Sequence, residues 1–417
     1  MDKATPNDTV SNGSRKPRQV FIPYMCDHGY TLAAAMRAHN LPTEVLPPTS
    51  TETLGLGLNV CKGRECLPCI TTTGDFLQRS RQPGFDPEQA AVFMPTTLGS
   101  CRFGCYNVLQ KDILEEQGLG QIEIMAPSSA NSYRGFGDQP TKLRMLMWQG
   151  VVAIDLLHKL LHGHRPYELQ AGQTDDVYKR CVDQVVAATE AGGGKELVEA
   201  MHWTARQFEM IPVDRSIPRP LIGLVGEIYL RFNTYVNLEL VRQVEELGGE
   251  VRIASSIEWL YYTNWHNKRK SHIFGKTGEY IKTHLTDMYQ RYYENNLLKP
   301  VEHLLRHPHE SPTSVLMKNL KPYYHPDLGS EAILSMSTAI DFARRSFGGI
   351  LNVMPFSCMP GTITTGIAPS IRADLDNIPW LDISYDTQGG TNLKTRLEAF
   401  MYQVFQYHRR IEHSNKN

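Results

Sequence analysis

Five of the chain's eight cysteines fall in two short segments, Cys61-Lys62-Gly63-Arg64-Glu65-Cys66-Leu67-Pro68-Cys69 and Cys101-Arg102-Phe103-Gly104-Cys105. Thiolates a few residues apart beside Gly and Pro can converge on one inorganic centre, because the backbone between them turns tightly. Zinc would take four thiolates or histidines, usually as two paired knuckles. Cys66-x2-Cys69 makes one knuckle and Cys101-x3-Cys105 a looser partner. Iron in a cluster would take thiolates from about four positions per cubane, not all of them from protein.

The surrounding segments read as elements that carry such residues to a sheet edge. Gln19 to Tyr24 is a β-type run ending at Met25-Cys26-Asp27-His28-Gly29; Thr31 to His39 has helical composition, and Glu44-Val45-Leu46 reads as a second strand. This β-turn-α-β unit is the building block of a parallel sheet. It puts Cys26 just past the carboxyl end of a strand, where open α/β sheets place ligands. Ile70 to Leu77 leads into a helix, and Ala90 to Pro95 is a strand that delivers Cys101. Asn107 to Gln117 reads as a helix closed by Gly118, and Ile122 to Met125 as the next strand.

The pattern then turns helical, with Asp176 to Thr189 amphipathic. Beyond Pro212, Pro218 and Pro220, Leu221 to Glu227 is a buried-type strand followed by a helix (Asn237 to Leu247) and another strand (Val251 to Ile253). Gly349 to Pro355 is a strand, and Phe356-Ser357-Cys358-Met359-Pro360-Gly361 after it mirrors the strand-then-cysteine arrangement at Cys101. Trp380 to Asp386 is a strand and Asn392 to His408 a terminal helix. The expected organisation is an α/β protein: a disordered tail (1–18), a first α/β domain (19–140), a helical connector (141–211), and a second α/β domain (212–417) with a helical insertion at 255–345.

Length and composition bound the function. With 417 residues and 41% apolar content the chain is too long for one core. A formal net charge of −1 calls for neither nucleic acid nor an anionic membrane. The most apolar stretch, Met145 to Leu161, is interrupted by Gln149, Asp155, His158 and Lys159, and reads as a buried or amphipathic helix. The first eighteen residues lack the apolar core of a secretion signal, so a cytoplasmic location is expected. There, clustered cysteines point to metal binding or redox chemistry more than to disulfides. Cys181, inside a helix, reads as a small buried apolar residue. His303, His307 and His309 read as a surface turn, and the aromatic and basic run Trp259 to Lys299 as helix packing. No P-loop, dinucleotide fingerprint or nucleophile elbow is present, Gly55 and Gly57 alone being a weak match.

The order Cys61-x4-Cys66-x2-Cys69, with Cys101 farther on, imitates plant-type ferredoxin ligands, and Cys66-x-x-Cys69 alone imitates a thioredoxin-like redox pair. Neither accounts for Cys26, Cys105 and Cys358. Five motifs in order carry a broader resemblance: Met25-Cys26-Asp27-His28, Gly63 to Cys69, Gly99-Ser100-Cys101-Arg102-Phe103-Gly104, Gly226-Glu227-Ile228-Tyr229, and Pro355 to Gly361. Together they resemble the 2-hydroxyacyl-CoA dehydratase superfamily, in particular the dehydratase-like part of activase-related proteins, a branch similar to double-cubane cluster proteins. The resemblance spans about Gln19 to His408.

It implies two flavodoxin-like parallel-sheet domains with an iron-sulfur cluster between them. The implied ligands are Cys66, Cys69, Cys101 and Cys358, then Cys26 and Cys105, with Cys61 an additional thiol. Four ligands suit one 4Fe-4S cluster, and six or seven a double-cubane 8Fe-9S centre. The implied partner is an ATP-dependent activase with its own 4Fe-4S cluster, either a separate polypeptide or a region beyond this sequence, with a homologous subunit or a second copy of the chain as a further partner. The implied function is an oxygen-sensitive protein, dehydratase-like or reductase-like, that receives low-potential electrons and reduces or reductively activates a small substrate. The rival reading is a non-catalytic binding or scaffold protein with a structural zinc-thiolate site.

Overall fold

The computed structural model describes residues 17–97, 99, 101–128, 136–137, 139–390 and 392–414. Two four-stranded, all-parallel sheets organise the chain. The first contains β1 (Gln19–Ile22), β2 (Thr43–Val45), β3 (Ala90–Phe93) and β4 (Glu123–Met125) in the order β2-β1-β3-β4. The second contains β5 (Leu221–Gly226), β6 (Glu250–Ile253), β7 (Gly349–Pro355) and β8 (Trp380–Tyr385) in the order β6-β5-β7-β8. Each sheet has the same topology, with its second strand outside its first, and this is the start of the flavodoxin-like order. Every residue of β5 and β7 is buried, as helices on both faces of a parallel sheet require.

Helices Pro140–His164, Gln173–Glu190 and Lys195–Glu209 connect the sheets and bury Leu157, Val185, Leu197, Met201 and Phe208 against one another. Four helices, Glu258–Ile273, Thr277–Leu298, Thr313–Leu320 and Ala332–Arg344, separate β6 from β7. The terminal helix Leu393–Ser414 packs Leu397, Phe400, Met401 and Val404 into the core that covers the second sheet. No helix of the described residues is long and apolar enough to cross a membrane.

The expected tail lies outside the described residues except for Pro17 and Arg18. The Arg18 guanidinium donates to the carbonyls of Ala90 and Gln121, so at this point the chain already belongs to the first sheet.

One feature of the first domain was not visible as periodicity. The segment before Cys61 is a helix, Thr51–Val60, started by a capping box in which the Ser50 and Thr53 side chains each bond the other's backbone N–H. It packs backbone to backbone on helix Leu67–Ser80. A Cβ on Gly57 would lie 2.1 Å from the Ile70 carbonyl oxygen, and one on Gly74 would lie 1.8 Å from that of Thr53. Only glycine permits this approach. The two helices thereby hold Cys61, at the end of one, beside Cys66, at the start of the other.

Candidate functional site

The carboxyl ends of β3, β5 and β7 lead into Cys101, Glu227 and Cys358, respectively. Three of the cysteines share one local structure. Cys66 is the N-cap of helix Leu67–Ser80, Cys101 of the 3-10 turn Arg102–Cys105, and Cys358 of helix Met359–Ala373. Cys66 (φ −65°, ψ 144°) and Cys358 (φ −68°, ψ 120°) are both extended, and both are followed by an apolar residue and a proline. Proline in a first turn removes an N–H that would have no helical partner. A helix N-terminus also carries partial positive charge, which favours a thiolate beside it.

Arg102 ties the two domains at this edge. Its guanidinium donates to the Arg64 carbonyl in the first domain, at 2.7 Å, and to the carbonyl and hydroxyl of Ser357 in the second, at 2.9 and 3.1 Å.

The thiols feel one another. Cys69 is held well above the ordinary thiol range by burial, then by Cys61 and Cys66, with Thr73, whose hydroxyl donates to the Cys69 carbonyl at 2.7 Å, acting in the opposite sense. Burial also raises Cys66, against a hydrogen bond from Tyr106. Cys61 is pushed up to about 11 by burial and by Glu65. Burial pushes Cys101 up to about 11, opposed by the Phe103 N–H and supported by Glu331, Glu227 and Cys66. Cys358 rises to about 12 through burial, opposed by the Gly361 N–H and supported by Glu227, Glu331 and Cys101. Cys61, Cys66, Cys69, Cys101 and Cys358 therefore share one electrostatic neighbourhood.

These sulfurs do not converge on a point. Among the described residues, no three cysteines bring their sulfur atoms within 4.8 Å of one another. A tetrahedral zinc with Zn–S bonds of ~2.3 Å spaces its thiolates by roughly 3.8 Å, so the arrangement is looser than a zinc-thiolate site demands. A polynuclear cluster separates its thiolates by its own width.

The remaining cysteines lie elsewhere. The Cys26 sulfur is buried 2.7 Å from His28 Nδ1. Cys105 is exposed at the end of the 3-10 turn. Cys181 is buried in the connector core among Val177, Val182 and Val185. His303 and His309 are exposed, each paired with its own carboxylate, Glu209 and Glu302.

Two carboxyls complete the cysteine edge, and the spacing of the cysteines pointed to neither. Glu227 caps helix Ile228–Phe232 by accepting from the Leu230 N–H, and Glu331 accepts from the Ile228 N–H. Burial raises Glu227, and it pushes Glu331 up to about 8 with help from Glu227, so both hold protons under conditions where an exposed carboxyl would not. The fully buried Arg231 lies between these carboxyls and Glu258, to which it donates at 2.9 Å. Glu258 in turn lines a cavity of about 180 Å³ with Lys159, Arg291, Glu294 and Glu310. Arg231 thus acts electrostatically on both Glu227 and Glu331 and bonds a residue of the charged cavity.

No protein-family model matches the chain, and no curated protein matches it.

Proposed function

We propose that the chain is an iron-sulfur redox protein whose cluster is held between the two sheets by Cys66, Cys69, Cys101 and Cys358, with Cys61 at the margin. The observation that carries this reading is the repeated placement of cysteines from both domains as helix N-caps, in electrostatic contact with one another. Burial and N-terminal dipoles are the protein's means of setting a cluster's potential. When bound, the cluster supplies one-electron transfer at low potential.

The chain's own residues supply the rest. Arg102 orients the two cysteine loops toward each other. Tyr106 packs in one core with Cys66 and Cys69, and the Thr73 hydroxyl holds the Cys69 carbonyl. Glu331 and Glu227, in which burial favours the protonated form, are placed to give a proton to a reduced substrate, and the Arg231–Glu258 pair lies between them and the cavity. In this reading electrons arrive from an ATP-dependent activase, and the substrate is a small molecule that is reduced or reductively activated. A protein partner is supported by Ile281, Leu285, Met288 and Tyr292, an exposed apolar stripe along helix Thr277–Leu298.

Anaerobic purification followed by iron and sulfide analysis tests the proposal. About four irons per chain would mean one cubane, and about eight a double cubane. A colourless protein with about one zinc and no iron would overturn the reading in favour of a structural zinc protein.

A further inference from the structure

A second cluster of ligating groups lies away from the cysteine edge, where three parts of the chain meet. His28 begins helix His28–Ala38 behind β1, Asp155 and His158 lie on one face of connector helix Pro140–His164, and Ser255 follows β6. One imidazole nitrogen from each histidine and one Asp155 oxygen lie within 4.8 Å of one another, and all three residues are buried. The His28 Nε2–Asp155 Oδ1 separation is 2.9 Å.

Two independent features mark this as a binding place. His158 is 9% exposed, and its Nδ1 is buried with no hydrogen-bond partner, although an orphaned ring nitrogen at such a site is costly. Beside it is a cavity of about 10 Å³, lined by Asp155, His158, His162 and Ser255, which is room for one water-sized guest. The two cations on the cavity wall are turned to partners of their own: Lys159 to Glu310, and Arg252 to the carbonyls of Arg306 and His307.

We propose that His28, His158 and Asp155 form a mononuclear site for a divalent transition-metal ion. Two imidazoles and one carboxylate are a borderline donor set of the kind that takes zinc or ferrous iron and leaves coordination positions open. Outer partners are already in place, as at established metal sites. His28 Nδ1 faces the Cys26 sulfur, which orients Nε2 toward the ion, and Asp155 Oδ2 accepts from the Ser255 hydroxyl and the Ile257 N–H. Cys26 is therefore an outer partner of this site, because the two nitrogens of the His28 ring face opposite ways. An ion here would join the first domain to the connector, with the second domain orienting the carboxylate.

The test uses the full chain with Cys66→Ala and Cys69→Ala together, which removes two of the four proposed cluster ligands; the cobalt spectrum then separates an ion held by the remaining thiols from one at this site, so failure here is distinguishable from failure of the iron-sulfur proposal. Equilibrium dialysis against zinc ions should find about one bound ion. Replacement by cobalt(II) should give visible d–d bands without thiolate-to-metal charge transfer. His158→Phe keeps a ring against Phe232 and Tyr178; it should lower zinc affinity at least ~10-fold. Asp155→Asn should do the same, with circular dichroism confirming that both variants are folded. Zinc binding that persists unchanged in His158→Phe, a cobalt spectrum dominated by sulfur charge transfer, or no zinc binding in the Cys66→Ala, Cys69→Ala chain would each overturn the proposal.

Discussion

The two sheets have the same strand order and end in the same kind of loop, yet their edges are furnished differently. The first sheet contributes Cys101 and, through the glycine-packed helix pair, Cys61, Cys66 and Cys69. The second contributes a single thiol, Cys358, together with the buried carboxyl Glu227; Glu331 joins them from the turn ahead of helix Ala332–Arg344. The Cys-x-Pro start of a helix recurs in both, so the scaffold is duplicated while the chemistry is divided. In the proposed reading, one half chiefly holds the metal and the other chiefly handles protons.

That division can be broken most directly at the shared motif. Cys66→Ala and Cys358→Ala should each remove most of the iron from anaerobically isolated protein, while Cys181→Ala should leave the iron content unchanged. Full iron retention in Cys358→Ala would confine any cluster to the first domain and end the interdomain claim.

Next in size is the helix pair that exists only on the first side. Gly74→Ala would place a methyl against the Thr53 backbone and should cost at least about 3 kcal/mol of unfolding free energy in urea titration. A neutral result would show that this close approach does not position the cysteines.

A smaller effect sharpens the second side. In the metal-free chain, the Glu331 carboxyl has a pKa of about 8, against 4.5 for an ordinary Glu. Its contribution to stability is fully present below about pH 4.5 and is lost as pH rises toward 8, because the unfolded chain ionises first. Glu331→Gln should flatten that decline in thermal melts taken across the interval. An unchanged pH profile would remove Glu331 as a proton carrier.

The smallest effect belongs to the bridge between the halves. Arg102 is exposed, so Arg102→Ala should cost only about 1 kcal/mol. It should nevertheless raise proteolytic cleavage of the Ser357 loop; unchanged cleavage would mean that the edges meet without it.

Parallel-sheet architecture was legible because strand, turn and helix signals are local: apolar runs such as Leu221 to Gly226, and strand ends at Cys101 and Cys358. The helix Thr51–Val60 was not legible, because its stability comes from a capping box and from a glycine contact with a helix still to come. Gly57, weak as part of a nucleotide motif, has a packing role. Asp155, His158 and Lys159 showed in the sequence only as interruptions of an apolar run. Their spacing places them along one helix face, but nothing local says what that face meets.

By itself the sequence determined residue types and their order: which strand ends carry cysteines, and that the chain makes two α/β units with parallel sheets. Tertiary structure alone decided the partners. It set Cys26 against His28, brought Glu331 to Glu227 from 104 positions away, and brought ligating atoms of His28, Asp155 and His158 within 4.8 Å of one another. Pairing across such separations depends on how whole helices and sheets pack, a property that no window of neighbouring residues contains.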